Sequence, residues 1–344
     1  MKLISKIASV LAVVTLTLVS CNKEGNGDVN TAELDATLAQ CEAVLKAATT
    51  EEYPQEAIAT FEGVVNSAKS AIAKGLESQT KADNLNKQLL EALKAFEAKA
   101  YGAIPESAVL CALSFEKIEN NAFKTTGAKA WDAVLTEGPK AVFPNTGVPT
   151  LVDGKKGKAV HFTKGSHLEI AGVTAKDFDL NEMSIATWIK VDATRTNNVI
   201  CSFNWWNTFK LSVQDGGKPF ITIKTENACT DMDNEHDQSV NPETGWTHVC
   251  IAWSGKSGVL SMYVNGELTK EWNTDSKGDA LKGKLVFPET LQPFIIGQFA
   301  PNAELATWDW AGNETNWGSL EGALDEFAVY NVCLTAGQVA RLAK

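Results

Sequence analysis

Positive charge is in short supply: 31 Lys and Arg stand against 42 Asp and Glu, for a formal net charge of −11. Such an acidic surface repels a phosphate backbone unless a local basic patch compensates, and no such patch occurs, which excludes nucleic acid as an expected partner. Histidines number only four and show no metal spacing. His161 and His248 fall inside strand patterns, where hydrogen-bonded structural histidines are the default, and no Ser/His/Asp grouping emerges. None of the seven cysteines forms a Cys-x-x-Cys pair, which disfavours zinc. Cys201 and Cys250 lie in apolar strand patterns and are expected as buried thiols, although an oxidising envelope would permit a bridge. Hydrophobic residues at 44% and charged residues at 21% are ordinary globular usage, so neither a disordered polymer nor a polytopic membrane protein fits the 344-residue chain. Its length predicts about two domains.

The first twenty residues are an address. Lys2 and Lys6 precede an apolar run, Ile7 to Val19, with no acidic residue, the pattern of a signal peptide too short to span a bilayer comfortably. The segment ends Leu18-Val19-Ser20-Cys21, which resembles the lipobox of bacterial lipoproteins. The resemblance implies cleavage before Cys21 and acylation there, and several acyl chains anchor stably. Asn22, in place of Asp, implies the outer membrane by the sorting rules of such lipoproteins. Lys23-Glu24 resembles, in one acid only, the surface-export signal of Bacteroidetes lipoproteins, so the cell surface is the expected side. Residues 21–29 form a polar tether, which at ~3.4 Å per residue reaches about 30 Å.

Beyond the tether, Leu34, Leu38, Cys41 and Leu45 recur at helical spacing, as do Ile58, Phe61, Val65, Ala68 and Ile72, and then Leu85, Leu89, Leu93, Phe96 and Ala100. Three helices are predicted over 30–101, with Pro54 in the first turn of the second and Gly75 at its C-terminal cap. Short connections, Tyr53, and the Ser-Gln-Thr turn at residue 78 resemble a FIVAR-type three-helix module, which implies a spacer.

After Ile104-Pro105, β-branched and aromatic residues rise and turn signals punctuate the chain. Asp153-Gly-Lys-Lys-Gly157, Asp215-Gly-Gly-Lys-Pro219 and Ser254-Gly-Lys-Ser-Gly258 each separate two strand patterns, and Asn265-Gly266 is the strongest short hairpin signal. An antiparallel sandwich follows, closed by a short helix that Thr335 and Gln338 open. Five segments then carry a resemblance: Ser184-Ile-Ala-Thr-Trp-Ile-Lys-Val191, Gly245-Trp-Thr-His-Val249, Leu260-Ser-Met-Tyr-Val-Asn-Gly266, Ile295-Ile-Gly-Gln298 and Gly322-Ala-Leu-Asp-Glu-Phe-Ala-Val-Tyr-Asn331. Their order is similar to that of LamG-like domains of the concanavalin A-like lectin/glucanase superfamily, over residues 106–344. The resemblance implies a mainly β fold, an antiparallel jelly-roll sandwich preceded by the small three-helix bundle. It places Trp188, Trp246 and Trp253 in the core. Lectins, adhesion modules and glycosidases all use this fold, so the site must decide function.

The glucanases of this superfamily present a Glu-x-Asp-x-x-Glu segment, and none occurs here. The nearest candidate, Asp231-Met-Asp-Asn-Glu-His-Asp237, would place Asp231, Asp233, Glu235 and Asp237 on one face if extended. Its interleaved Met232, Asn234 and His236 do not make a buried face, which favours a solvated acidic loop over a calcium loop or a catalytic strand. The resemblance also implies a structural calcium near the first strand and the Asp-Glu of the last, here Glu116 and Asp325. The alternative for Asp325 is capping of backbone amides in a turn.

Tryptophan is the informative residue, with ten in the chain. Trp205 and Trp206 lie in Phe203-Asn-Trp-Trp-Asn-Thr-Phe209, and Trp308, Trp310 and Trp317 in a loop of Asn, Asp, Glu and Gly. Sugar rings offer C–H groups to aromatic faces and hydroxyls to amides and carboxylates. Trp205, Trp206, Trp308, Asp309, Trp310, Asn313, Glu314, Asn316 and Trp317 supply both halves. The alternative is that these rings plug the sandwich mouth or pack on the helices. The expected function is noncatalytic capture of a glycan or polysaccharide by a lipid-anchored protein, with an outer-membrane uptake complex as possible company. A protein-binding adhesin and a divergent glycoside hydrolase stand as alternatives.

Overall fold

The computed structural model describes residues 29–311 and 313–344. The signal peptide, Cys21 and all but the last residue of the tether lie outside the described residues. The chain divides into two compact units, one of the residues to Ala48 with Gln55–Ala98, the other of Thr49–Pro54 with Lys99–Lys344.

In the first unit α1 (Ala32–Ala47), α2 (Gln55–Ala73) and α3 (Gln79–Glu97) pack pairwise. Each presents one stripe: Leu34, Thr37 and Cys41; Phe61, Val65 and Ala68; Ala82, Leu89, Leu93 and Phe96. Phe61 stacks on Phe96 with centroids 4.6 Å apart. Leu38, Leu45, Ile58, Ile72 and Leu85 sit half-buried at the rim, and Ala100 falls beyond the end of α3. Gly75 takes φ +85 and donates to the Ile72 carbonyl at 3.0 Å, the left-handed cap that ends α2. Ser78 caps α3 by accepting from the Lys81 N–H.

The second unit is, among the described residues, an antiparallel sandwich of sixteen strands. In chain order these are β1 (Val109–Leu113), β2 (Ala122–Lys124), β3 (Asp132–Thr136), β4 (Thr150–Asp153), β5 (Lys158–Phe162), β6 (His167–Ile170), β7 (Glu182–Val191) and β8 (Asn197–Phe203). There follow β9 (Phe209–Gln214), β10 (Lys218–Lys224), β11 (Cys229–Asp233), β12 (Thr247–Ser254), β13 (Val259–Val264), β14 (Glu267–Trp272), β15 (Phe294–Ile296) and β16 (Gly322–Tyr330). The first sheet runs β14-β13-β12-β7-β16-β5-β4, with β1 also on β16; the second runs β11-β10-β9-β8-β15-β6-β3-β2. Ile185, Ile189, Val249, Ile251 and Trp253 of the first sheet share one core with Phe203, Phe209, Leu211, Ile221 and Phe294 of the second. The hairpins form as the turn residues predict. Asn265 and Gly266 take φ +51 and +84 between β13 and β14, the left-handed pair that a two-residue turn requires.

Two expectations need correction. Trp253 is core, but Trp188 is on the other face of β7, 4% exposed and outside the inter-sheet cluster, and Trp246 is half-buried in a bend before β12. Strand alternation puts Ile185, Ile189 and Val191 inward and therefore Ala186 and Trp188 outward. The acidic segment is also not all loop. Cys229–Asp233 pairs with β10, Met232 enters the core, and Asn234 is fully buried, so a buried face exists after all.

Candidate functional site

Aromatic rings converge where two loops meet the outer face of the second sheet. The first loop leaves β8 through Asn204 and Trp205, both left-handed at φ +52 and +42. Asparagine tolerates this conformation; tryptophan does so at a cost on the order of 1–3 kcal/mol, which the surroundings must sustain. They do so with three hydrogen bonds: the Gln292 N–H donates to Asn204 Oδ1 at 2.8 Å, the Trp205 N–H to Ser202 Oγ at 3.2 Å, and the Cys229 thiol to the Trp206 carbonyl at 3.3 Å.

The second loop is braced from inside. Buried Gln298 donates to the Ala300 carbonyl at 2.8 Å and to Asn302 Oδ1 at 3.0 Å. Phe143, Ala300, Leu305, Ala311 and Trp317 make a small core, against which Trp205 and Trp308 lie half-buried. Trp308 is 5.3 Å from Trp205 and 5.4 Å from both Trp206 and Trp310, centroid to centroid. Buried Phe299 lies 6.5 Å from Trp206 and 6.4 Å from Trp310. The outer two rings remain open to solvent, Trp206 at 37% and Trp310 at 40% exposure.

Beneath the rings lies a lysine that sequence reasoning missed. Lys210 points outward from β9 yet is only 4% exposed, its Nζ 4.7 Å from the Trp206 ring centre and 4.9 Å from those of Phe220 and Phe299. Burial pushes its pKa below the usual lysine value, against the opposing pull of Asp231 and Cys229. It makes no ion pair among the described residues. Register explains the company: Asp231, Thr222, Lys210 and Ser202 are successive cross-strand partners over β11, β10, β9 and β8. The Thr222 hydroxyl donates to Asp231 Oδ1. The available signal was alternation, since Phe209, Leu211 and Val213 face the core and Lys210 therefore cannot.

The residues expected at the site divide. Trp205, Trp206, Trp308 and Trp310 come together, with exposed Asp309 on the same turn as Trp310. Trp317 does not belong: it is 1% exposed and in T-shaped contact with Phe143 at 6.2 Å. Asn313, Glu314 and Asn316 are exposed on a separate turn, where Asn313 Oδ1 accepts the Asn316 N–H at 3.1 Å. Arg195 fastens that turn, donating to the Glu314 carbonyl at 2.7 Å and to Glu321 at 3.2 Å, beside a cavity of about 480 Å³ that Glu314 also lines.

Glu116 and Asp325 meet the β4–β5 turn. Asp325 Oδ2 accepts the Lys156 N–H at 2.8 Å, and both Glu116 oxygens accept the Lys158 N–H at 3.2 and 3.3 Å. A Cβ on Gly154 would stand 2.6 Å from Asp325 Oδ2, and one on Gly157 2.3 Å from Glu116 Oε1. So the alternative reading of Asp325, capping turn amides, is realised. Its Oδ1, however, is buried without a hydrogen-bond partner, and burial, with Glu116 adding to it, pushes its pKa up. An orphaned carboxylate oxygen beside a second carboxylate fits a hard cation. Among the described residues no group of three or more His, Cys, Asp or Glu is placed to hold a metal ion, so backbone carbonyls and water would complete the shell.

Residues 162–340 match the family model described as the concanavalin A-like lectin/glucanases superfamily. No curated protein sequence matches the chain. Among solved structures, the binding domain of Paraclostridial mosquitocidal protein 1 is similar at 16% identity, covering 69% of this chain and 52% of that one with a TM-score of 0.48. Domain 4 of AbnA, an extracellular arabinanase from Geobacillus stearothermophilus, in complex with arabinotriose, is similar at 20% identity over 70% of this chain and 100% of that one, TM-score 0.48. The binding domain of botulinum neurotoxin DC in complex with SialylT gives 13% identity, 70% and 51% coverage, and TM-score 0.45. This chain thus spans about half the length of both toxin binding domains.

Proposed function

The chain belongs to the concanavalin A-like lectin/glucanases superfamily, and from that premise we propose that its sandwich captures glycans without cleaving them. The observation that carries this reading is the pair of outward rings, Trp206 and Trp310, 37% and 40% exposed and each in ring contact with buried Phe299. Isolated exposed tryptophans are common enough, but two joined through Trp308 into one surface expose a contiguous apolar patch. The C–H faces of sugar rings cover such a patch, while the exposed carboxylates of Asp309 and Asp231 answer hydroxyls. Stacking and hydrogen bonding suffice for capture, and the reading requires no acid–base carboxylate pair.

The same proposal extends to the rest of the chain. Cys21 carries the acyl anchor, the three helices act as a spacer, and the sandwich works at the outer surface of the outer membrane of a Bacteroidetes-type bacterium, supplying a polysaccharide-uptake complex. Calcium held by Glu116 and Asp325 has a structural role, bracing the turn that both carboxylates touch.

The test is affinity electrophoresis of the mature chain through gels carrying a panel of polysaccharides, with calcium and with chelator. Retardation by at least one polysaccharide, lost in Trp206→Ala and Trp310→Ala with no reducing sugar released, is the expected result. A folded protein retarded by none of them overturns the proposal in favour of a protein-binding adhesin, and released reducing sugar overturns it in favour of a hydrolase.

A further inference from the structure

A lysine on the outer face of a sheet normally carries its ammonium to water on a flexible stem. Lys210 does not. It is only 4% exposed, and its Nζ ends 4.7 Å from the ring centre of Trp206 and 4.9 Å from those of Phe220 and Phe299. Asp231, two strands away in register, accepts from the Thr222 hydroxyl instead of pairing with it. A buried charge without an ion pair needs other compensation, and ring faces, which present negative charge to a cation, supply it here.

The three rings come from three segments: Trp206 from the turn after β8, Phe220 from β10, and Phe299 from the loop after β15. One ammonium is therefore a shared partner of the sheet and of both loops. Phe299 passes the contact on, lying 6.5 Å from Trp206 and 6.4 Å from Trp310.

We propose that Lys210 is a positioning residue for the tryptophan surface, its ammonium fixing Trp206 directly and Trp310 through Phe299. The inference rests on the reading of that surface as a capture site, and adds that the charge of Lys210, beyond the packing of its stem, sets the placement of the rings. Being buried, Lys210 acts through those rings and not on the ligand itself.

Charge makes the placement depend on pH. The titratable groups that act on Lys210 are Asp231 and Cys229, both on β11, and both favour the cation; burial outweighs them and holds its pKa below the ordinary 10.5. The neighbours from β8, Ser202, and from β10, Phe220 and Thr222, do not ionise in this range, nor do Trp206 and Phe299. As pH rises, Lys210 therefore loses its charge before an exposed lysine would, and its hold on the rings goes with it.

NMR of the mature chain carrying 13C-labelled tryptophan tests the placement without any polysaccharide, the Trp206 signal being identified by its absence in Trp206→Phe. Between pH 7 and pH 11 that signal should shift with a midpoint below 10.5 in the wild type and in Cys229→Ser, which removes the titration of the thiol, and should stay in place in Lys210→Met. Polysaccharide retardation of the wild type should fall over the same range. In Lys210→Met, which keeps the length of the side chain without its charge, retardation should be weaker from the outset by about fivefold or more and flat with pH. Its melting temperature should stay within about 2 °C of the wild type or above it, because an apolar chain in place of a buried charge leaves no polar group unpaired. A Trp206 signal indifferent to pH, or titrating equally in Lys210→Met, overturns the inference. So does a Lys210→Met variant that keeps wild-type retardation, or that loses it together with stability. If Lys210→Met does not fold, the pH titrations of the wild type and Cys229→Ser carry the comparison. A wild type retarded by no polysaccharide overturns the capture reading, while the NMR titration still decides the placement, so the two failures are distinguishable.

Discussion

The indole N–H of Trp317 donates to Gln298 Oε1 across 2.7 Å, with neither side chain reaching solvent. This bond separates the tryptophan that holds the second loop from those the loop displays. Gln298→Leu leaves the indole N–H unpaired in the interior, for an expected loss of about 1–3 kcal/mol in urea unfolding. Trp310→Ala gives up ring contacts with Trp308 and Phe299 but leaves no buried polar group unpaired, so it should cost less stability than Gln298→Leu while abolishing polysaccharide retardation. Equal loss of stability in both variants would contradict this division.

Acid should act through His248. Burial depresses its pKa from the ordinary 6.5 to about 3, so the native protein holds the imidazole neutral. The unfolded chain takes up the proton below pH 6.5, so this contribution to stability is complete above that pH and is lost as pH falls toward 3. The slope is about 1.4 kcal/mol per pH unit. His248→Phe should therefore lose about 3 kcal/mol less than the wild type between pH 7 and 4, read from urea midpoints. Parallel losses in the two proteins would refute the assignment.

If calcium joins Glu116 and Asp325, saturating calcium should raise the sandwich melting temperature. An ion at a hundred times its Kd contributes about 2.7 kcal/mol, which is a rise of about 5–10 °C in a domain of this size. Asp325→Asn should cancel the rise. A wild-type melting curve indifferent to calcium and chelator would remove the ion from the account.

Thiol chemistry should follow burial. Cys111, Cys201 and Cys250 are free and buried, whereas Cys229 is free and exposed. Burial pushes the Cys111 thiol up to about 12, and partial burial with neighbouring Asp231 raises that of Cys229 as well. Iodoacetamide should modify Cys229 first among these four, faster at pH 9.5 than at pH 7.5, and leave the other three unmodified until the protein is unfolded. Peptide mass mapping reads the order.

Local features were legible where one short segment decides the outcome. Asn265-Gly266 dictates its turn because those residues tolerate left-handed backbone, and Thr335 with Gln338 forms its reciprocal cap as the spacing implies. What escaped depends on partners distant in sequence. Trp308, Trp310 and Trp317 look equivalent in one polar loop until Gln298, nineteen residues from Trp317, draws that ring inside. Lys210 acquires Phe299 and Trp206 only through strand register and loop closure. Met232 and Asn234 read as loop because hydrophobicity alone marks an edge strand poorly when its outer face is acidic.

The left-handed pair Asn204 and Trp205 bears on how such a surface would bind. A flexible loop loses conformational freedom when a ligand orders it, and that loss is subtracted from affinity. Here the backbone is already confined by Ser202, Cys229 and Gln292. The rings are therefore placed during folding, and an arriving ligand meets a surface whose shape it does not have to impose.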